Sequence, residues 1–293
     1  MDTKVIGGRK QLECLTTDAR GPFEFRKRRG LLARRQATVI SISGEELQIL
    51  EGHKGFINAV AFPPDGKQLA SASSDATVKQ WDVGSGAELQ TLQGHKGSAR
   101  AVVFSPDGML LASASYDRTV KLWDAGTGAA LQTLEGHSDR VNAVAFSPDG
   151  KQLASASFDN MAKLWDAGSG TALQTLEGHS GSVTAVAFSP DGKQLASASY
   201  DRTVGLWDAG WAAALQTLEG HSGSVWFVAF SPDSKQLASA SDDRTVKLWD
   251  ADTGAALQTI KINTVIQTLS FSDDGTSLNT NRNYCLSQLF LPA

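Results

Sequence analysis

One block of sequence recurs at a fixed step, and no other feature limits the fold of this chain so strongly. Residues 135–166 read EGHSDRVNAVAFSPDGKQLASASFDNMAKLWD, and near-copies lie on either side. From His53 to His95 the step is 42 residues, and His137, His179 and His221 keep it. Trp81, Trp123, Trp165, Trp207 and Trp249 keep it too, so each copy runs from a Gly-His to a Trp-Asp. A period in the range of about 20–50 residues means a stack of similar supersecondary units, each covering an apolar face of the next.

Within one unit the pattern is that of strands. Leu89-Gln90-Thr91-Leu92 alternates apolar and polar, and Gly94-His95 ends it in a turn. Ala101-Val102-Val103-Phe104 is a short apolar run closed by Ser105-Pro106-Asp107-Gly108, where Pro presets one turn position and Gly tolerates the left-handed exit. Residues 110–115 and 119–123 form two more strands around Tyr116-Asp117-Arg118, and residues 124–128 make the last hairpin. Four antiparallel strands in each ~40–45 residues make a β-propeller blade. Ala112-Ser113-Ala114-Ser115 has little bulk on either face, which suits a strand pressed between two neighbouring sheets.

The intact Gly-His and Trp-Asp signatures, with their spacing, resemble the WD-repeat family. The resemblance implies an all-β propeller. It also implies a buried hydrogen-bond chain in each blade, from the Trp indole N–H through a strand Ser and the turn His to the Asp between the second and third strands. The members are His53, Asp75 and Trp81; His95, Asp117 and Trp123; His137, Asp159 and Trp165; His179, Asp201 and Trp207; and His221, Asp243 and Trp249. The serine is the one four residues before the Asp (Ser71, Ser113, Ser155, Ser197, Ser239), although the serine two residues later shares its strand parity. Such a chain has a physical logic, because buried indole, imidazole and carboxylate groups each need a partner.

The same residue types also make a Ser-His-Asp catalytic triad. Five equivalent copies weigh against that reading, since a nucleophile is needed once and a brace in every blade. No non-repeated acid, base or nucleophile stands out, so the chain reads as not an enzyme, with a propeller hydrolase as the remote alternative. Clusters with metal-ligand spacing and phosphate-cradling glycine loops are missing, so no metal and no cofactor are expected.

The pattern decays at both ends. Residues 47–262 hold five well-formed repeats; residues 263–293 are expected to form a degenerate last blade, with a strand and hairpin ending in Ser272-Asp273-Asp274-Gly275 and further strands at 278–280 and 284–290. Residues 1–46 are expected to supply a closing strand at 3–8 and a degenerate blade from segments 12–16, 23–25, 38–42 and 46–50, or else a tail. The whole chain, 1–293, thus reads as a single propeller of seven blades. The alternative is six blades preceded by a basic N-terminal tail.

Charge is uneven. Residues 1–37 carry ten Lys and Arg against four Asp and Glu, whereas the whole chain has a formal net charge of −4. The cluster at residues 26–35 reads as a solvated tail or, alternatively, as a nucleic-acid patch or nuclear address. The acidic remainder argues against an extended nucleic-acid surface. No apolar stretch approaches the ~20 residues that span a bilayer, and two widely separated cysteines suit a reducing compartment. An intracellular protein is expected, cytoplasmic with a nuclear address as the alternative.

Positions at which the copies differ point to surface use. The third residue after each His reads Phe56, Ser98, Arg140, Ser182 and Ser224; the fifth reads Asn58, Arg100, Asn142, Thr184 and Trp226; the residue before each turn Asp reads Ser74, Tyr116, Phe158, Tyr200 and Asp242. Strand geometry sets all three on one rim, which in WD-repeat proteins is the commonest partner-binding face. Aromatic residues and Arg dominate binding hot spots. Tyr116, Phe158, Tyr200, Trp226, Arg100 and Arg140, with Phe56, Asn58, Asn142 and Thr184, are therefore the candidate contacts for a protein or peptide ligand. Near-identical copies with differing rims resemble, in style, the repeat domains of fungal NLR-type incompatibility proteins. The expected function is that of a non-catalytic binding scaffold.

Overall fold

In the computed structural model, residues 12–15, 37–42, 46–210, 213–262, 266 and 268–280 are described, those before Leu50 as strand backbone only. Residues 3–8, 23–25 and 284–290, the basic cluster at 26–35, Trp211 and Asn263 lie outside the described residues.

All regular structure among the described residues is β. Repeat 1 forms an antiparallel sheet of Ile57–Ala61, Gln68–Ser73, Val78–Asp82 and Glu88–Leu92, hydrogen-bonded in chain order. Repeats 2 to 5 build the same four-stranded sheet, beginning at Ala99, Val141, Val183 and Val225. A three-stranded sheet of Leu12–Leu15, Ala37–Ile42 and Glu46–Glu51 precedes them, and a two-stranded sheet of Leu269–Phe271 and Leu278–Thr280 follows. In the N-terminal sheet Leu12–Leu15 bonds directly to Ala37–Ile42, with Leu12 opposite Ile42 and Leu15 opposite Val39.

Sheets stack face to face. The first strand of each sheet packs against the first strand of the next, so the first strands form the hub and the fourth strands the circumference. This is a β-propeller-type arrangement, and it explains residue size by position. Second strands sit where neighbouring sheets converge, and both faces are sealed: Leu69, Ala70, Ser71, Ala72 and Ser73 are all fully buried. Farther out, the gap widens and the third-strand tryptophan fills it. Between repeats 2 and 3, Ala112, Ala114, Val120, Leu122 and Leu134 of one sheet meet Val141, Val144, Leu153 and Trp165 of the next. A small face thus meets a large one, and the motif recurs at every seam between repeats. Each buried Leu or Val contributes about 1.5–3 kcal/mol relative to exposure, so the stack rests on these seams.

Leu50 extends the packing to the N-terminal sheet by joining Leu69 and Trp81, and Ile262, Ile266 and Leu278 extend it past repeat 5. Every repeat also carries a β-bulge in its first strand. In repeat 3, Val141 faces Ser157 and Ala143 faces Ala156, so Asn142 is the extra residue. The counterparts are Asn58, Arg100, Thr184 and Trp226. A bulge of this kind bends the strand and re-aims a side chain.

Candidate functional site

Two sets of side chains lie at the His-loop end of the sheets, one inside and one on the rim. The inner set is repeated five times. In repeat 3, Trp165 Nε1 donates to Ser155 Oγ at 2.8 Å, Ser155 Oγ lies 2.7 Å from His137 Nε2, and His137 Nδ1 lies 2.8 Å from Asp159 Oδ2. The chains of repeats 1, 2, 4 and 5 run through Ser71, Ser113, Ser197 and Ser239 with the His–Asp separation at 2.8–2.9 Å. The serine two residues farther on does something else: Ser157 Oγ donates to Asp139 O and accepts from Asp159 N, tying the His loop to the Asp turn.

Each Asp carboxylate also accepts the backbone N–H that follows the His, as in Ser138 N to Asp159 Oδ2 at 3.0 Å. The residue after each Asp turns left-handed (Ala76, Arg118, Asn160, Arg202 and Arg244), which brings the next N–H back onto the same carboxylate. A Thr hydroxyl adds a further bond in four repeats; Met161 withholds it in repeat 3.

The protonation states follow from these partners. Burial of Asp75 works against its charge, but bonds from Thr77, the Lys54 N–H and His53 outweigh that and hold it well below the usual carboxylate range. The same balance lowers Asp117, Asp159, Asp201 and Asp243, the last to about 2. Burial lowers His53 and His221, and the carboxylate beside each offsets only part of this. A neutral imidazole donates from Nδ1 to the carboxylate and accepts at Nε2 from the serine, whose oxygen in turn accepts the indole N–H.

That polarity is the one a hydrolytic triad uses. Access separates the two. Ser71, Ser113, Ser155, Ser197 and Ser239 are fully buried, and each hydroxyl oxygen already carries an indole proton. Each His ring also meets the Trp edge-on, with centroids 6.2–6.3 Å apart. As placed, the serine cannot meet a carbonyl.

The rim carries the variable residues. The residue before each Asp bonds through its backbone N–H to the third residue after the His: Ser74 to Phe56, Tyr116 to Ser98, Phe158 to Arg140, Tyr200 to Ser182 and Asp242 to Ser224, at 2.8–2.9 Å. These positions are therefore cross-strand neighbours in every repeat, and the bulge residue stands beside them. From repeat 2 to repeat 5 the side chains join. The Arg140 guanidinium lies 4.9 Å from the Tyr116 ring centre and 4.7 Å from that of Phe158; Phe158 meets Tyr200 edge to face at 5.9 Å, and Tyr200 meets Trp226 at 5.0 Å. Tyr116, Phe158, Tyr200 and Trp226 are half-buried and Arg140 is exposed.

The bulge residues divide in two. Asn58 Nδ2 reaches Ser98 Oγ and Ala99 O, Asn142 Nδ2 reaches Val183 O, and Thr184 Oγ1 reaches Val225 O, each across to the next sheet. Arg100 and Trp226 take the same place with side chains of a different kind. Phe56 stands exposed on repeat 1, apart from the ladder. The variation among copies pointed to the rim, but the cross-seam bonds of Asn58, Asn142 and Thr184 were not legible in it. The bulge that directs them is a feature of strand register.

Among the described residues no three His, Cys, Asp or Glu side chains gather as a metal site, and no helix is long and apolar enough to cross a membrane.

Comparison with known proteins adds the family. The profile described as WD domain, G-beta repeat matches residues 44–82, 86–124, 128–166, 170–208 and 213–250. Curated relatives match over single units. The human serine-threonine kinase receptor-associated protein is 49% identical over 41 residues, 14% of this chain and 12% of that protein. The small ribosomal subunit protein RACK1y of Oryza sativa subsp. japonica is 53% identical over 34 residues, 12% and 10% of the two chains. The Notchless protein homolog of Arabidopsis thaliana is 53% identical over 36 residues, 12% and 8%. These alignments span only about a tenth of the relatives' length and so compare one blade with one blade. The five profile matches cover more than half of the sequence, and with the five sheets they establish that this chain belongs to the WD domain, G-beta repeat family.

Proposed function

We propose that this protein is a non-catalytic scaffold that binds a protein or peptide along one rim. The ladder of Tyr116, Arg140, Phe158, Tyr200 and Trp226 carries the reading. It runs through four repeats whose buried frames are nearly the same, and it is built from the residue types that anchor interfaces. Two relatives have names that describe association with a receptor and membership of a ribosomal subunit; association of this general kind, without either partner, is what we extend to this chain. A recognition role in the style of fungal NLR-type repeat domains fits the same pattern of constant frame and changing rim, and an intracellular setting suits the two distant cysteines.

The test is an affinity capture with the intact chain and with a variant carrying Tyr116→Ala, Phe158→Ala, Tyr200→Ala and Trp226→Ala. Loss of the captured partners by a variant that circular dichroism shows to be folded supports the rim. Equal capture by both proteins sinks it, and turnover of a fluorogenic ester panel by either would return the hydrolase reading.

The propeller is proposed to have seven blades, residues 1–8 supplying the outer strand of the last one. The motive is that the C-terminal sheet has two described strands and the N-terminal sheet three, so each falls short of the four found in the repeats. Free sheet edges are an aggregation liability that closure removes. Deleting residues 1–8 is expected to lower the melting temperature of the whole protein; unchanged melting favours six blades.

A further inference from the structure

Repeat 3 departs from the others at two consecutive places, and both bear on the ladder. The second residue after the His is glycine in repeats 1, 2, 4 and 5, where a Cβ would lie only 2.6–2.9 Å from the backbone nitrogen of the turn Asp. Repeat 3 has Asp139 there, followed by Arg140 where the others have Phe or Ser. Asp139 Oδ1 lies 3.6 Å from Arg140 Nε. The loop thus accommodates a side chain in a place where its four counterparts have no room for one, and the residue it adds steadies Arg140.

Arg140 is held on two further sides. Its guanidinium sits 4.9 and 4.7 Å from the ring centres of Tyr116 and Phe158, on adjacent repeats. A guanidinium stacked on rings keeps its N–H edge for planar, bidentate contacts with an oxyanion. Arg100 is a second cation on the same rim. Asn58 at the bulge of repeat 1 reaches Ser98, the counterpart of Arg140, so the bulge of repeat 2 aims Arg100 toward the place Arg140 holds. Asp139 meets the Arg140 guanidinium at Nε, 3.6 Å away, which leaves the terminal N–H groups for a ligand beside the aromatic ladder.

We propose that this seam between repeats 2 and 3 takes a carboxylate: Arg140, held between Tyr116 and Phe158, binds an Asp or Glu side chain of an extended partner peptide, whose neighbouring apolar residues lie along Tyr200 and Trp226. The inference rests on the rim reading above and names the chemistry of its ligand. A nucleic-acid strand fits less well. The rings meet edge to face and so occupy one another's faces, whereas a base needs a free face to stack on. One carboxylate with apolar neighbours meets the Arg140 guanidinium and a row of rings.

The experiment pans phage-displayed random dodecapeptides on the immobilised full chain, on Arg140→Glu, and on a Tyr200→Ala, Trp226→Ala double variant. Arg140 is exposed, so the charge-reversed chain still folds, and circular dichroism checks this. The expected result is Asp or Glu beside aromatic residues in the peptides enriched on the wild type. Synthetic copies of these peptides should bind Arg140→Glu at least about tenfold more weakly, as befits loss of a charge-assisted bond, and panning on that variant should select Lys or Arg instead. Peptides that need Tyr200 and Trp226 but show no acidic preference overturn this inference and leave the rim reading standing. Peptides that bind the double variant equally, or no enrichment at all, overturn both. Tighter binding of a fluorescein-labelled twelve-nucleotide uridine strand than of any selected peptide replaces the peptide with RNA.

Discussion

Phe158 and Asp159 are adjacent in the chain and belong to different regions of the molecule. Asp159 points inward and has counterparts of the same type in every repeat, each held by the His, by the loop N–H and by the N–H two residues on. Phe158 points along the rim, where its counterparts are Ser74, Tyr116, Tyr200 and Asp242. What separates them is the number of partners each must satisfy. A buried carboxylate with several donors aimed at it admits no substitute without orphaning those donors. A half-buried ring touching a guanidinium and another ring can change type and disturb little beyond its own seam. The repeats are alike in the first region and free in the second, and on that contrast we propose stability for one and recognition for the other.

The contrast breaks most visibly at the inner chain. Replacing His137 by Ala removes the partner of both Ser155 and Asp159, in a place where water has no access to the serine. The expected cost is about 1–3 kcal/mol, the penalty for leaving buried polar groups unpaired, read as a fall in the urea midpoint. A double-mutant cycle with Asp159→Ala should show strong coupling between the two. An unchanged midpoint would mean that the imidazole does not brace the sheet.

Acid is the second way to break it, with a smaller effect near neutrality. His53 and His221 have folded pKa values below the ordinary 6.5, so as pH falls through that value the unfolded chain binds protons that the folded chain refuses. Stability rises with pH wherever the unfolded state holds more protons, so the melting temperature should drop as pH goes from 7 toward 5. The five turn aspartates act lower down. Their depressed values give stability that is complete above the ordinary carboxylate pKa and is lost as pH falls from about 4. Melting that is flat between pH 7 and 5 would show that the imidazoles are not kept neutral by burial. Removing rim aromatics should leave this profile unmoved, because the bonds that hold these aspartates come from His, Thr and backbone N–H groups.

How much of this was legible in the sequence differs by region for the same reason. The period, the hairpins and the polar set of each repeat follow from local pattern, since Pro-Asp-Gly and Gly-His act through their own backbone. The choice of Ser155 over Ser157 as the bridge to Trp165 was weighed from spacing alone, and the two serines do share a face; only the fold of the His loop gives Ser157 a different partner, Asp139 O. The bulge was not legible, because it is set by pairing between strands far apart in sequence, and with it the cross-sheet bonds of Asn58, Asn142 and Thr184 went unseen. Gln80 shows the opposite case. It stands where repeats 2 to 5 have Leu and is fully buried, with Nε2 on Ala125 O and Oε1 without a partner among the described residues. Its sequence position marks a departure, and the half-satisfied amide shows that the departure has a cost.

The smallest expected change in stability is at Phe158, and it sharpens the comparison rather than breaking it. Phe158→Ala removes the face under Arg140 and the ring against Tyr200. A cation over an exposed ring and an edge-to-face pair are each worth roughly 0.5–1 kcal/mol, and a half-exposed site lets water fill the gap. The midpoint should therefore move by no more than about 1 kcal/mol, well short of the change at His137, although the two residues sit at the same end of one sheet. Because Arg140 would keep Tyr116 and Asp139 but lose its second ring, the variant should also bind rim ligands less tightly while still folding. If instead Phe158→Ala destabilised the protein as much as His137→Ala does, the ladder would be a structural cap on the blade ends, and the rim would have to give up its claim to recognition.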